Sequence, residues 1–168
     1  MKNYGFILAG MIAFTLLISC TTQKTTDSNS TMKYNIERIE YFTSACFGPC
    51  PMFKMEINKD RMAVYNAIRF NFSKDFEAPH PEGTFVGKIK ELDYDSLVQK
   101  LNDMDFPMLQ DQYKVGYTDA QTGNLKIIYD GGKEKAITDY GMRGTPELEE
   151  IYQLFLDLRE NQEWKKFE

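Results

Sequence analysis

The sequence predicts an α+β fold: an antiparallel sheet built from hairpins, with two main helices packed on one face. Three observations predict it. Residues 52 to 70 and 125 to 139 alternate apolar and polar side chains on either side of turn-forming residues, the pattern of two hairpins. Leu97, Val98, Leu101 and Met104 fall at helical spacing behind Asp93. Leu148, Ile151, Tyr152, Phe155 and Leu158 form a second helical stripe behind Thr145 and Pro146.

Between Asn35 and Thr43, Ile39 and Tyr41 alternate with Arg38, Glu40 and Phe42, which predicts a strand running into Cys46. Phe53, Met55 and Ile57 then face one way and Lys54, Glu56 and Asn58 the other. Asn58-Lys59-Asp60-Arg61 is turn-rich, and Met62 to Phe70 alternates again through Val64, Asn66 and Ile68. Asn71 to Gly83 carries Pro79, His80 and Pro81 without either period and is expected to be a loop. Thr84 to Lys90 is the next expected strand, with Asp93 as the N-cap of a helix that Pro107 ends. Met108 to Gly123 reads as irregular. Leu125, Ile127 and Tyr129 alternate with Lys126 and Ile128, and Asp130-Gly131-Gly132 tolerates positive φ before a return strand from Lys133 to Asp139. Thr145 caps the last helix, Pro146 fits its first position, and Glu147, Glu149 and Glu150 suit the positive end of its dipole.

The N-terminus is organised differently. An apolar run from Phe6 to Ile18 follows Lys2 and falls short of the roughly 20 residues that span a bilayer, which points to an export signal. Its ending, Leu17-Ile18-Ser19-Cys20, resembles the lipobox of bacterial lipoproteins. That resemblance implies cleavage before Cys20 and acylation of the cysteine, palmitate included. It also implies a bacterial cell-envelope location, with the folded domain outside the cytoplasm. Thr21 to Thr31 contains no aliphatic or aromatic side chain, so it cannot offset its own ordering entropy and reads as a tether. The expected organisation is a signal over residues 1–19, a lipidated cysteine and tether over 20–34, and one domain over 35–168. The formal charge of −5 becomes one unit more negative once Lys2 is removed. With no basic cluster, the chain is not expected to bind nucleic acid or to dock electrostatically on anionic lipid.

The stretch Cys46-Phe47-Gly48-Pro49-Cys50-Pro51 holds the two thiols that an acylated Cys20 would leave. Such a pair is a short-loop disulfide, a redox couple or half of a metal site. Gly48 and Pro49 let the chain turn so that the sulfurs meet, and an exported protein meets an oxidising compartment, so a disulfide is the expected state. A loop this short constrains the unfolded chain by only about 2 kcal/mol. A thioredoxin-type couple has two intervening residues at a helix N-terminus; here there are three, and a strand follows. The run Cys-x-x-x-Cys-Pro also resembles the copper loop of Sco-type assembly proteins, which would call on a histidine such as His80. The whole block, with Phe53-Lys54 opening a strand and Tyr117-Thr118-Asp119 ahead of a late hairpin and helix, resembles the bacterial envelope domain called domain of unknown function 6438, over about residues 35 to 160. That resemblance implies an envelope module on a lipoprotein signal and supplies no activity.

Two further groups are candidates. Tyr117, Thr118 and Asp119 could form a polar binding site or simply turn the backbone. Arg143, between Gly141 and Gly144 ahead of the last helix, could help bind an anion, although the glutamates of the next turn oppose it. With His80 the sole imidazole, no hydrolytic triad can be assembled, and no Gly-rich phosphate loop is present. No cofactor, metal or catalytic residue is expected. The expected function is a lipid-anchored, non-enzymatic binding or structural module with a Cys46–Cys50 disulfide, its partners the membrane through the lipid and an envelope protein. The alternative is thiol redox or copper handling by the same pair.

Overall fold

Alternating apolar residues set most of the strands, and their inward-facing members define one core. The computed structural model describes residues 32–72 and 82–168. The export signal, Cys20, the tether through Thr31 and the proline segment with His80 lie outside the described residues. The elements in order are β1 (Ile36–Thr43), β2 (Met52–Asn58), β3 (Met62–Arg69), β4 (Gly83–Lys88), α1 (Glu91–Asp103), a 3₁₀ turn (Phe106–Met108), β5 (Gln112–Lys114), β6 (Thr122–Tyr129), β7 (Lys133–Tyr140), α2 (Pro146–Asn161) and β8 (Lys165–Lys166). They form an α+β fold with one sheet in the order β5-β7-β6-β1-β2-β3-β4-β8.

The core lies between one face of this sheet and the two helices. Ile39 and Tyr41 of β1, Phe53, Met55 and Ile57 of β2, and Leu125 and Ile127 of β6 meet Leu97 and Leu101 of α1 and Leu148, Ile151, Phe155 and Leu158 of α2. Tyr41 stacks on Phe155 at 4.5 Å between centroids and meets Phe53 edge-on at 5.6 Å. Phe53 in turn meets Tyr65 at 5.7 Å, and Tyr65 meets Trp164 at 5.1 Å. Each such side chain contributes roughly 1.5–3 kcal/mol when fully buried, so this aromatic row is the main apolar seam of the domain. The opposite face is lined by charge pairs such as Lys54–Glu56 at 2.6 Å and Lys126–Glu134 at 2.8 Å. Among the described residues no helix is long and apolar enough to cross a membrane.

Several expectations are corrected. The sheet is mixed: β5 runs parallel to β7, with Tyr113 opposite Asp139. This strand lies inside the stretch expected to be irregular, and with three residues it is too short for alternation to show. The first helix begins at Glu91, with Lys90 as an N-cap whose side chain makes no capping bond and donates to the Asn161 carbonyl instead. Asp93 is in its first turn instead. Gln162, beyond α2, supplies the cap from afar: its Oε1 accepts from the Lys90 N–H at 2.7 Å, and its Nε2 donates to Asp93 at 2.6 Å. In β3 the residues turned to the core are Ala63, Tyr65 and Ala67, while Ile68 is exposed. Small alanines flank a large tyrosine under the helices, so the buried face is the one with less obvious hydrophobic volume. Arg61 closes the β2–β3 turn at φ 70°, and Asp130, Gly131 and Gly132 all take positive φ between β6 and β7. Thr145 caps α2, its hydroxyl oxygen accepting from the Leu148 N–H at 3.2 Å. The short β8 pairs with β4 and was not foreseen.

Candidate functional site

Because β1, β6 and β7 are neighbours, three connections gather at one end of the sheet: the cysteine loop after β1, the segment before β6, and the turn after β7. Thr43 faces Gly123, which faces Asp139, which faces Tyr113, a row of inward positions beneath these connections. Gly123 leaves room there, since a Cβ at that position would lie 3.3 Å from both Met142 and Tyr152.

Cys46 and Cys50 are joined, with Cα atoms 5.8 Å apart, inside the range a disulfide requires. Gly48 turns the loop at φ 146°, and its N–H donates to the Cys46 carbonyl at 3.0 Å. Phe47 stands at the tip with 91% of its surface exposed.

The loop is held from the side by residues 119–122. The Phe47 N–H donates to the Asp119 carbonyl at 3.2 Å, and the Ser44 N–H to that of Thr122 at 3.0 Å. The Ser44 hydroxyl accepts from the Thr122 N–H at 2.9 Å. Gln121 reaches across the neck, its Nε2 donating to the carbonyls of Ser44 at 2.9 Å and Pro51 at 2.7 Å. One amide thus joins the two chain segments that enter and leave the loop.

Tyr117, Thr118 and Asp119 occupy the segment beside the cysteine loop. Tyr117 is 53% exposed. Asp119 has φ 61°, and its bond to the loop uses the backbone carbonyl, the behaviour of a turn residue. Its side chain meets Thr118, whose hydroxyl lies 3.5 Å from the carboxylate. Arg143 is exposed and belongs to the adjoining turn through its backbone N–H, which donates to Asp139 at 3.3 Å. The described contacts bring Phe47 and Asp119 together and leave Arg143 tied to β7.

Asp139 was not singled out by sequence. It is only 1% exposed and accepts from the Gly144 N–H at 2.8 Å and the Tyr152 hydroxyl at 3.2 Å, besides Arg143. Burial pushes the Tyr152 hydroxyl far above the usual tyrosine range, and the neighbouring Asp139 carboxylate adds to the shift. Tyr41 is likewise raised, chiefly by burial. Both phenols therefore stay protonated and serve packing. Asp139 shares the inward parity of Ile137, and an acid on the core side of a strand is the signal that could have found it. Gln121 offers no such signal, because its acceptors lie far back in the chain.

The end of the sheet thus presents one exposed aromatic on a closed loop above a buried, satisfied polar layer. Among curated proteins nothing matches the chain. The family model for Domain of unknown function (DUF6438) matches residues 37–159, from the second residue of β1 to the last turn of α2 and across the whole cysteine loop. The chain belongs to the DUF6438 family.

Proposed function

We propose that this protein is a lipid-anchored module of the bacterial cell envelope that binds another envelope protein through the tip of the cysteine loop and catalyses no reaction. Phe47 carries the reading. An exposed phenylalanine on a mobile loop would lose its gain on docking to ordering, whereas one on a loop closed by a disulfide and three flanking hydrogen-bonding residues is already ordered. Aromatic anchors of this kind dominate the energetics of protein interfaces, and Tyr117, two residues before the Asp119 carbonyl that holds Phe47, is a second exposed aromatic. The partner matching this tip is a protein with a shallow apolar pocket. Cys20 fits as the anchor because its lipobox-like context precedes a polar tether.

Two measurements test this. Mass spectrometry of the mature protein is expected to show acyl chains on Cys20, and Cys20→Ser is expected to release the protein from the membrane fraction. In pull-downs from envelope extract, Phe47→Ala is expected to lower capture of a specific partner at least about tenfold while leaving the melting temperature unchanged. Equal capture by the variant would refute the loop as the contact.

A further inference from the structure

We infer that Gln121 is a positioning residue for the disulfide: it holds the two cysteines close enough to pair before the bond exists. Its Nε2 donates to the Ser44 carbonyl, two residues ahead of Cys46, and to the Pro51 carbonyl, directly after Cys50. Neither bond involves sulfur, so both persist when the disulfide is reduced. Gln121 is itself fixed, its backbone carbonyl accepting from the Gly141 N–H at 2.8 Å. The Ser44–Thr122 and Phe47–Asp119 bonds hold the entering segment against the same wall. In the reduced protein the neck therefore stays closed, and each thiol sees the other at a high effective concentration.

The consequence is thermodynamic. Oxidation removes one proton and one electron from each of Cys46 and Cys50 as the S–S bond forms. The oxidant is a small-molecule disulfide such as oxidised glutathione, whose own S–S bond breaks to give two thiols through a mixed-disulfide intermediate. Whatever holds the reduced cysteines together favours the closed product and makes the potential more negative. The inference stands apart from the proposed binding role, since it concerns how the loop is closed and not what touches its tip.

The test uses the full chain carrying Cys20→Ser, so that only two thiols titrate, equilibrated in glutathione buffers of graded ratio. Gln121→Met keeps the side chain's length and bulk but removes both donors. Its effective thiol concentration is expected to fall about tenfold, which makes the potential about 30 mV less negative. Thr118→Ala, on the same segment but outside the neck, is expected to match the parent. A Gln121→Met potential within about 5 mV of the parent, or an equal shift in Thr118→Ala, overturns the inference. A measurement without any variant at Gln121 guards against a folding artefact: in the reduced parent the Ser44 and Phe47 amides should remain protected from hydrogen exchange. Loss of that protection on reduction overturns it equally.

Discussion

Replacing Asp139 with alanine tests whether the buried carboxylate holds the turn between β7 and α2. Its three donors differ in what they lose. The Tyr152 hydroxyl belongs to a residue only 2% exposed, so it would be stranded away from water at a cost of about 1–3 kcal/mol. The Gly144 and Arg143 amides sit in a turn that water can reach, and losing a replaceable bond costs about 0.5–1.5 kcal/mol each. Together these give about 2–6 kcal/mol, a large share of the roughly 5–15 kcal/mol available to a domain. For a domain of roughly 140 residues, that lowers the melting temperature by about 7–20 °C. Urea unfolding of the parent, Asp139→Ala, Tyr152→Phe and the double variant measures it. The double variant should lose less than the sum of the two single ones, because each removes the same bond. A loss below about 1 kcal/mol in Asp139→Ala, with additive effects, would refute the account of Asp139 as a turn clamp.

Two other outcomes follow from the geometry. Arg61 sits at φ 70°, where a side chain is strained and glycine is not, so Arg61→Gly should raise stability by about 1 kcal/mol in urea unfolding despite losing the exposed ion pair to Glu91. The hydrogen bond from Lys33, followed by that from Tyr34, holds the Asp105 carboxyl below its ordinary value of 3.8. A depressed acid contributes stability above its unfolded pKa and loses it as pH falls through the folded value, so Asp105→Asn should flatten the acid limb. Melting curves of parent and variant should converge well below pH 3.8 and separate above it; parallel curves would contradict the assignment.

The sheet's centre was legible because it is built on parity. Leu125 and Ile127 point inward and Lys126 outward, as alternation requires, and Thr145 with Pro146 marks the start of α2 by local chemistry alone. Parity failed where size and burial disagree, as in β3, where Ala63 and Ala67 are covered and Ile68 is not. Local capping rules failed at α1, because the acceptor for the Lys90 amide comes from Gln162, across the fold. The candidate site was half legible for the same reason. The cysteine spacing and the turn-forming glycine announce a closed loop, but the neck depends on Gln121 meeting carbonyls at Ser44 and Pro51. Those acceptors become its neighbours only once β1 and β6 have paired.

The cysteine loop leaves β1 directly, and the chain enters β1 from its other end, so tension between the N-terminal segment and Phe47 would run along the covalent backbone of a single strand. A β-strand already rises about 3.3 Å per residue, close to the limit of an extended chain, and has almost no slack to give up. Pulling on a partner seated at the tip would therefore load peptide bonds and leave the ladders to β2 and β6 unstressed, so the domain could serve as a mechanical link without having to unfold.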